Sequence, residues 1–188
     1  MKELIPTATI ERFSNPAKVT TWVFDKLDIV GELKLEAMNT AIPIAIEVIR
    51  RLQEFGLEFG YKINIRYFKN KALCEAYLRV GKSNPPFKIP ENCPKTHVKA
   101  DSEVNRLFSW ILHRLEEYGV CSLQATASAI IRLARVVSWF DKFKLPVEVN
   151  YQVEGHVIDK KVKSYLLALI KAGEGFRDVV KDYFIFQD

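Results

Sequence analysis

The sequence predicts an α+β protein built from two tandem βαβαββ units, each with a mixed sheet and two helices on one face. Three observations predict this fold: an internal repeat, the same succession of alternating and helical apolar patterns in both halves, and a proline-rich segment between them. The chain has 188 residues, enough for two domains of roughly 85–100 residues each. We expect the units to pair within the chain as a pseudo-dimer, with pairing between chains as the alternative.

The repeat relates residues that lie 88 positions apart. The identical pairs at this spacing are Trp22/Trp110, Leu27/Leu115, Gly31/Gly119, Leu35/Leu123, Ala37/Ala125, Ala41/Ala129, Ile42/Ile130, Val48/Val136 and Phe55/Phe143. Residues 63–67 instead match residues 147–151 at a spacing of 84, and the spacing of 88 returns at Tyr77 and Tyr165. A four-residue change between two strand-like runs predicts a longer hairpin loop in the second unit.

In the first unit, residues 7–13 favour a strand, and the polar residues before Pro16 favour a helix over about residues 16–29. Gly31 ends this helix, and apolar residues then alternate with charged ones over 33–37, which predicts a strand with one solvent-exposed face. Apolar residues recur on one helical face over about residues 41–55 before Gly56, which predicts the second helix. Residues 61–68 and 73–80 alternate as a hairpin.

The second unit repeats this order. Helices are predicted over about residues 103–117 and 128–143, a strand over 120–125, and a hairpin over 146–170 with its tip within 155–159. The predicted boundaries are 1–81 for the first unit, 82–96 for the linker, 97–173 for the second unit and 174–188 for an aromatic tail. The linker holds four of the eight prolines, which favours an extended chain. The tail either caps the core as an extra helix and strand or docks on a partner protein.

Composition restricts the class of function. The net charge of +5 is compatible with a polyanionic partner, although acidic residues are interspersed with the basic ones. No run approaches the roughly 20 apolar residues that cross a bilayer, and the N-terminus lacks a signal-peptide pattern, so we expect an intracellular protein, nuclear or cytoplasmic, without a membrane partner. Three cysteines without CxxC spacing and three scattered histidines predict free thiols and no metal site. No nucleotide-binding or hydrolase motif occurs, so we expect neither a cofactor nor an enzyme.

Residues 31–57 and 119–143 share an apolar strand, a turn of small residues, the dipeptide Ala-Ile and a helix. Together with the βαβαββ order and the first-helix opening at residues 18–23, this pattern resembles the Alba superfamily over most of both units. Its members are small basic proteins of archaeal chromatin and RNA-binding relatives, including the small paired subunits of ribonuclease P and MRP, and they act as dimers. The resemblance implies nucleic-acid contacts at the turns before the first and second helices and at the hairpin arm.

The resemblance assigns nucleic-acid binding to eight positions: Lys18, Arg66, Lys69, Lys71, Arg106, Lys160, Lys161 and Lys163. The turns before the second helices depart from the family pattern, because Asn39 and Ala127 stand where the family has glycine, and no basic residue follows either of them. Trp22 and Trp110 recur on the apolar faces of the first helices, so we expect them to pack in the core or at a helix interface.

Two hypotheses follow. In the first, which we favour, the chain is a non-catalytic nucleic-acid-binding protein and a ribonucleoprotein component, with RNA preferred over DNA. The basic charge and the first hairpin support it. In the second, degenerate Alba folds form a structural scaffold in a large assembly and contact proteins through their helix faces and the aromatic tail. The missing glycine and basic residues before the second helices support this alternative.

Overall fold

The structure is a computed structural model that describes residues 5–185, with side chains described through residue 182. Unit one contains β1 (Thr7–Ile10), α1 (Pro16–Val30), β2 (Glu32–Met38), a 3-10 turn (Asn39–Ala41), α2 (Ile42–Glu54), β3 (Phe59–Phe68) and β4 (Lys71–Val80). Unit two contains β5 (Lys95–His97), α3 (Val104–Tyr118), β6 (Val120–Thr126), α4 (Ala129–Lys142), β7 (Val147–Ile158) and β8 (Lys161–Ala172), and α5 (Phe176–Ile185) follows it. The α+β class is confirmed, and the order βαβαββ occurs twice.

Each unit forms one four-stranded mixed sheet. The strand orders are β1-β2-β4-β3 and β5-β6-β8-β7, so the sheets have the same topology. The first two strands of each sheet are parallel and the other pairings are antiparallel. In each unit, one helix joins the first strand to the second and the other joins the second strand to the third. Both connections run in the same direction across the sheet, so both helices lie on the same face.

The strand register corrects the predicted alignment of the hairpins. Leu35 of β2 pairs with Ala76 of β4, and the equivalent Leu123 of β6 pairs with Ala168 of β8. The fourth strands therefore correspond at a spacing of 92. Ile63 lies opposite Ala76 and Tyr151 lies opposite Ala168, so the third strands keep the spacing of 88. The predicted spacing of 84 was wrong, because strands have a period of two and a shift by four residues leaves the apolar face unchanged.

The predicted longer loop in the second hairpin was also wrong. Both hairpins close with two-residue turns, and their four turn residues have positive φ angles of 45° and 63° in unit one and 50° and 63° in unit two. This geometry is that of a type I′ turn, which matches the twist of antiparallel strands. The extra residues lengthen the strands, since β7 and β8 have 12 residues each and β3 and β4 have 10. The turn of the second hairpin lies at Asp159 and Lys160, at the end of the predicted tip segment.

Local signals explain the helix boundaries. Asn15 accepts a hydrogen bond from the backbone N–H of Lys18 (3.1 Å), and Pro16 occupies the first turn of α1, where its missing N–H has no cost. Gly31 and Gly119 end α1 and α3 in the left-handed conformation, with φ angles of 76° and 72°. β5 begins at Lys95, inside the predicted linker, because the last linker residues run parallel to β6.

The two units share a continuous apolar core. Its residues come from both sheets and from all five helices of the described chain. α2 and α4 lie at the centre, where α2 contacts β7 and β8 of unit two and α4 contacts β3 and β4 of unit one. Since each of these helices packs on its own sheet and on the other unit, seven of the 13 residues of α2 are buried. The units therefore contact each other through their second helices and their hairpins.

The start of the aromatic tail caps the core. Phe176 and Val180 of α5 are buried, and α5 packs against α3. The other aromatic residues of the tail, Tyr183, Phe184 and Phe186, lie outside the described side chains. Among residues 5–185, no helix combines the length and the apolar character needed to cross a membrane.

Candidate nucleic-acid interface

The topology brings three loops to one end of each sheet. β1 and β2 are parallel, so the turn before α1 and the turn before α2 leave the sheet at the same end. β4 is antiparallel to β2 and begins beside the end of β2, since Met38 pairs with Leu73. The hairpin tip therefore lies at this end as well. The same relations hold in unit two, and we call these regions loop end one and loop end two.

Loop end one carries two exposed aromatic rings, each next to a cation. Phe13, in the turn before α1, is 88% exposed, and the Arg12 guanidinium carbon lies 5.2 Å from its ring centroid. Phe68, beside the hairpin turn, is 42% exposed, and the Lys69 ammonium lies 5.3 Å from its ring centroid. The two rings follow or lie on the edge strands β1 and β3, which are three strand spacings of about 4.8 Å apart. A ring beside a cation suits a stacked base and its phosphate.

Sequence reasoning found Lys69 but missed Arg12, Phe13 and Phe68. The signal was present, because an aromatic residue directly adjoins a basic one in both predicted turns. Exposed aromatic residues in turns are a better indication of binding than isolated lysines, since burial would otherwise stabilise the ring.

The other predicted residues of unit one differ in their surroundings. Lys18 is exposed in the first turn of α1, and Lys71 is exposed at the start of β4. Arg66 is half exposed, but its Nε lies 3.1 Å from a carboxylate oxygen of the nearly buried Glu75. Glu75 also lies 3.6 Å from Lys34, on the sheet face that carries no helix. Arg66 is therefore partly neutralised, whereas Lys18 and Lys71 have no ion pair within residues 5–185.

Loop end two is basic but has a different character. Lys160, Lys161 and Lys163 are exposed on the second hairpin, and Arg106 is exposed in α3 with its Nε 2.9 Å from Glu103. Exposed valines lie between these lysines: Val157, which is 74% exposed, pairs with Val162, which is 43% exposed. Loop end two thus presents lysines around an apolar pair.

The turns before the second helices have a left-handed backbone conformation at Asn39 and Ala127. Asn39 has a φ angle of 44° and Ala127 one of 49°, both in the left-handed region that glycine adopts without strain. Asn39 tolerates this conformation, and its side-chain oxygen accepts a hydrogen bond from the N–H of Ala72 (3.0 Å). Ala127 has no side-chain polar group to offset the strain. In both turns the backbone has the left-handed conformation that glycine adopts most readily, although neither turn contains glycine.

The two tryptophans differ from each other in burial. Trp22 is 43% exposed, so its expected burial was wrong, and Lys26 lies 5.9 Å from its ring. Trp110 is partly buried and packs against the core, as expected. α1 thus displays Trp22 beside Lys18 on the surface next to β1, where both residues line a shallow groove.

An ion cluster holds the second hairpin on α2. Arg50 is 4% exposed, and its guanidinium donates to Glu47 (3.0 Å), Glu54 (2.6 Å) and the hydroxyl of Ser164 in β8 (2.8 Å). Ser164 in turn donates to Glu47. Burial alone would raise the pKa of Glu47, but hydrogen bonds from Arg50, Ser164 and Arg51 outweigh it and lower the pKa to about 2. The cluster joins the two units beside the second hairpin, since Ser164 adjoins Lys163 of loop end two.

The cysteines are free and buried. Burial raises the pKa of the Cys74 and Cys121 thiols to about 12, which keeps them protonated and unreactive at neutral pH. Among the described residues, no group of three His, Cys, Asp or Glu side chains is arranged to hold a metal ion.

A scan against models of known protein families finds no match, and a search of curated proteins finds none either. The surface chemistry of the loop ends is therefore the basis for assigning a function. Loop end one combines flat rings with cations, and loop end two combines cations with aliphatic side chains.

Proposed function

We propose that this chain is a non-catalytic RNA-binding protein, an intrachain pseudo-dimer of Alba-like units that binds a single strand at loop end one and acts in an intracellular ribonucleoprotein. The observation that carries the proposal is the pairing of an exposed ring with a cation in both loops, Phe13 with Arg12 and Phe68 with Lys69.

The chemistry favours a single strand over a duplex. Stacking on an aromatic side chain requires an unstacked base, which loops and single strands offer and duplexes do not. Stacking contributes about 1–3 kcal/mol per base and tolerates any base. Lys18 and Lys71 add exposed positive charge at the same end of the sheet, where they can neutralise phosphates. RNA is preferred over DNA on the resemblance to RNA-binding Alba relatives alone, since stacking on an aromatic ring serves single strands of both kinds.

The experiment measures binding of the full chain to labelled single-stranded RNA, double-stranded RNA and duplex DNA over a salt series. We expect the single strand to bind most tightly. The F13A/F68A variant should weaken binding at least about tenfold, because it removes two stacking platforms, and should leave the salt dependence unchanged. The K69A/K71A variant should reduce the slope of log K against log salt by about 1.4, since each single-strand phosphate contact contributes about 0.7.

The matched control is K160A/K161A, which removes two lysines from the other hairpin. It should change the affinity for the single strand less than K69A/K71A does. Equal losses in the two lysine variants would show diffuse attraction by net charge, and no binding at low salt would overturn the proposal.

A second function is favoured by one observation in unit two. The exposed pair Val157 and Val162 at loop end two is suited to a protein contact, because aliphatic side chains offer a nucleic acid neither stacking nor charge. In this alternative the chain is a scaffold that docks a protein on its second hairpin. A V157S/V162S variant that loses a protein partner in a pull-down but keeps RNA binding would establish both roles.

A further inference from the structure

Two equivalent grooves lie between the units. In groove one, the end of α2 and the start of β3 form one wall, and the middle of β7 forms the other. In groove two, the end of α4 and the start of β7 form one wall, and the middle of β3 forms the other. The repeat relates their linings, as in the pairs Leu57/Leu145, Phe59/Val147, Tyr61/Val149 and Gln152/Asn64. The grooves are thus two copies of one site, and the outer edge of a sheet forms a wall of each.

The chain's own linker lies along groove one and binds its sheet edge. Asn84 binds the edge of β3 as a strand would: its side-chain oxygen accepts from the N–H of Tyr61 (2.7 Å), and its side-chain nitrogen donates to the Tyr61 carbonyl (2.6 Å). Phe87 donates its N–H to the side-chain oxygen of Gln152 (2.8 Å). The linker lies so close to β3 that a Cβ at Gly60 would be 3.0 Å from the Lys82 carbonyl oxygen. Pro85 and Pro86 line the groove between these contacts.

Within residues 5–185, no segment fills groove two. The chain after β8 begins as it does after β4, since Gly173 donates to the Pro146 carbonyl as Gly81 donates to that of Glu58. It then turns into α5 and does not continue along the edge of β7. The N–H and carbonyl of Val149 therefore point away from β8 with no hydrogen-bond partner in the described chain. Free edge groups of this kind are a template for another chain.

Burial records the difference between the grooves. Phe59 and Tyr61 are buried under the linker, whereas their equivalents Val147 and Val149 are only partly buried. Groove two has a volume of about 450 Å³, and about 320 Å³ remain in groove one beside the linker. Its lining has the same combination of an edge strand and an apolar floor, the latter provided by Ile65, Val137, Phe140 and Leu145.

We propose that groove two binds an extended segment of a partner protein that contains asparagine followed by proline, in the manner in which the linker occupies groove one. The asparagine amide satisfies both edge groups of Val149 with one side chain. Proline holds the segment extended and presents no N–H that would need a partner. Asn64, in the position of Gln152, accepts the next backbone N–H.

One difference predicts a preference of groove two. Lys144, with a φ angle of 52°, stands where groove one has Gly56. Lys144 is exposed, and Asp141 of the same lining accepts a hydrogen bond from the N–H of Tyr67, so an acidic residue in the partner segment should strengthen binding where it reaches Lys144 and not Asp141.

The test titrates a peptide with the sequence of residues 82–89, KSNPPFKI, into the isotopically labelled full chain and follows the backbone amides by NMR. The sheet edge of groove one is already bound by the same sequence in cis at high effective concentration, so added peptide should report on groove two. We expect saturable shifts at Val149, Asn64 and Lys144. A peptide with alanine in place of the asparagine should bind about tenfold more weakly, because two hydrogen bonds are lost.

Two protein variants sharpen the test. N64A should weaken binding of the added peptide. The matched variant Q152A, in groove one, should leave that binding unchanged. V149P removes the edge N–H and should abolish binding, with circular dichroism as the check on its fold. Absence of saturable shifts at millimolar peptide, or equal binding of the alanine peptide, would overturn the proposal. A concentration-dependent dimer that exchanges linkers would also overturn it, since the occupant would then be a second copy of this chain.

Discussion

The two hairpins have the same topology and turn type, yet they are attached to the other unit by different chemistry. The first hairpin lies on α4, where the N–H of Tyr67 donates to Asp141 (3.1 Å) and the Tyr67 ring lies 5.5 Å from the Lys142 ammonium. The second hairpin lies on α2, where Arg50 connects Glu47, Glu54 and Ser164. One attachment uses a backbone donor and a ring, and the other uses a buried guanidinium.

The repeat shows how this difference arises. Arg50 corresponds to Ser138, Ser164 corresponds to Ala72, and Gly155 corresponds to Tyr67. Gly155 has no side chain, so Arg50 lies against the backbone, 3.3 Å from where a Cβ would be. The apolar positions keep the two backbones alike, whereas the polar positions at the contact have diverged. Pairing is consequently between unlike surfaces, which favours association of unit one with unit two over association of like units.

The largest expected effect comes from removing the guanidinium. We expect R50A to lower the free energy of unfolding by about 3 kcal/mol, because Glu47 would lose its buried charged partner and keep only its ion pair with Arg51. The matched variant S138A, at the equivalent position in the other attachment, should cost less than about 1 kcal/mol, since it removes one local hydrogen bond. Urea denaturation followed by circular dichroism measures both. Equal losses would contradict the asymmetry described above.

The second effect is a pH dependence that only one attachment should have. Glu47 has a pKa of about 2 in the folded chain against an ordinary value of 4.5, so its stabilisation is complete above about pH 4.5 and is lost as the pH falls towards 2. The loss should be on the order of 2 kcal/mol, reduced because the carboxylate keeps some contact with solvent.

Unfolding measured between pH 7 and pH 2.5 tests this dependence. E47Q should flatten the acidic part of the stability curve, and S138A should leave it as in the unmodified chain. An unchanged curve in E47Q would assign the acid sensitivity to other carboxylates.

The smallest effect distinguishes the two turns before the second helices. A127G should stabilise the chain by about 1 kcal/mol, because glycine adopts the observed φ angle of 49° without strain. N39G should instead destabilise it by about 1 kcal/mol, because the hydrogen bond from Ala72 is lost. Thermal unfolding of the two variants side by side checks the opposite signs. A loss of stability in A127G would mean that the alanine side chain contributes packing that outweighs the strain.

Much of the fold could be predicted from the sequence because its signals are local. Pro16 and Gly31 delimit α1, and the alternating residues before Asn39 define β2, so each boundary depends on a few neighbouring residues. The hairpin register could not be predicted, because two alignments that differ by four residues place the same kinds of side chain on the core face.

The candidate site was only partly predictable for a related reason. Lys69 and Lys71 were found because a turn signal surrounds them, but the exposure of Phe68 depends on which face of β3 meets the core. Arg66 was predicted to bind nucleic acid as a free cation. Its ion pair with Glu75 depends on the register of β3 and β4, which the sequence did not reveal. The exposure of Trp22 depends on which side of α1 meets the core, and the buried side is formed by Thr20, Val23 and Leu27.

By itself, the sequence determined the order of elements in the two βαβαββ units and the helix ends, since these follow from periodicity, glycine and proline over short distances. The tertiary structure alone decided which side chains meet across the units: Arg50 with Ser164, Tyr67 with Asp141 and the linker with the edge of β3. These contacts join residues far apart in the chain, so they depend on the strand register and on how the second helices pack. The same long-range packing leaves the sheet edge of groove two open while the linker binds that of groove one.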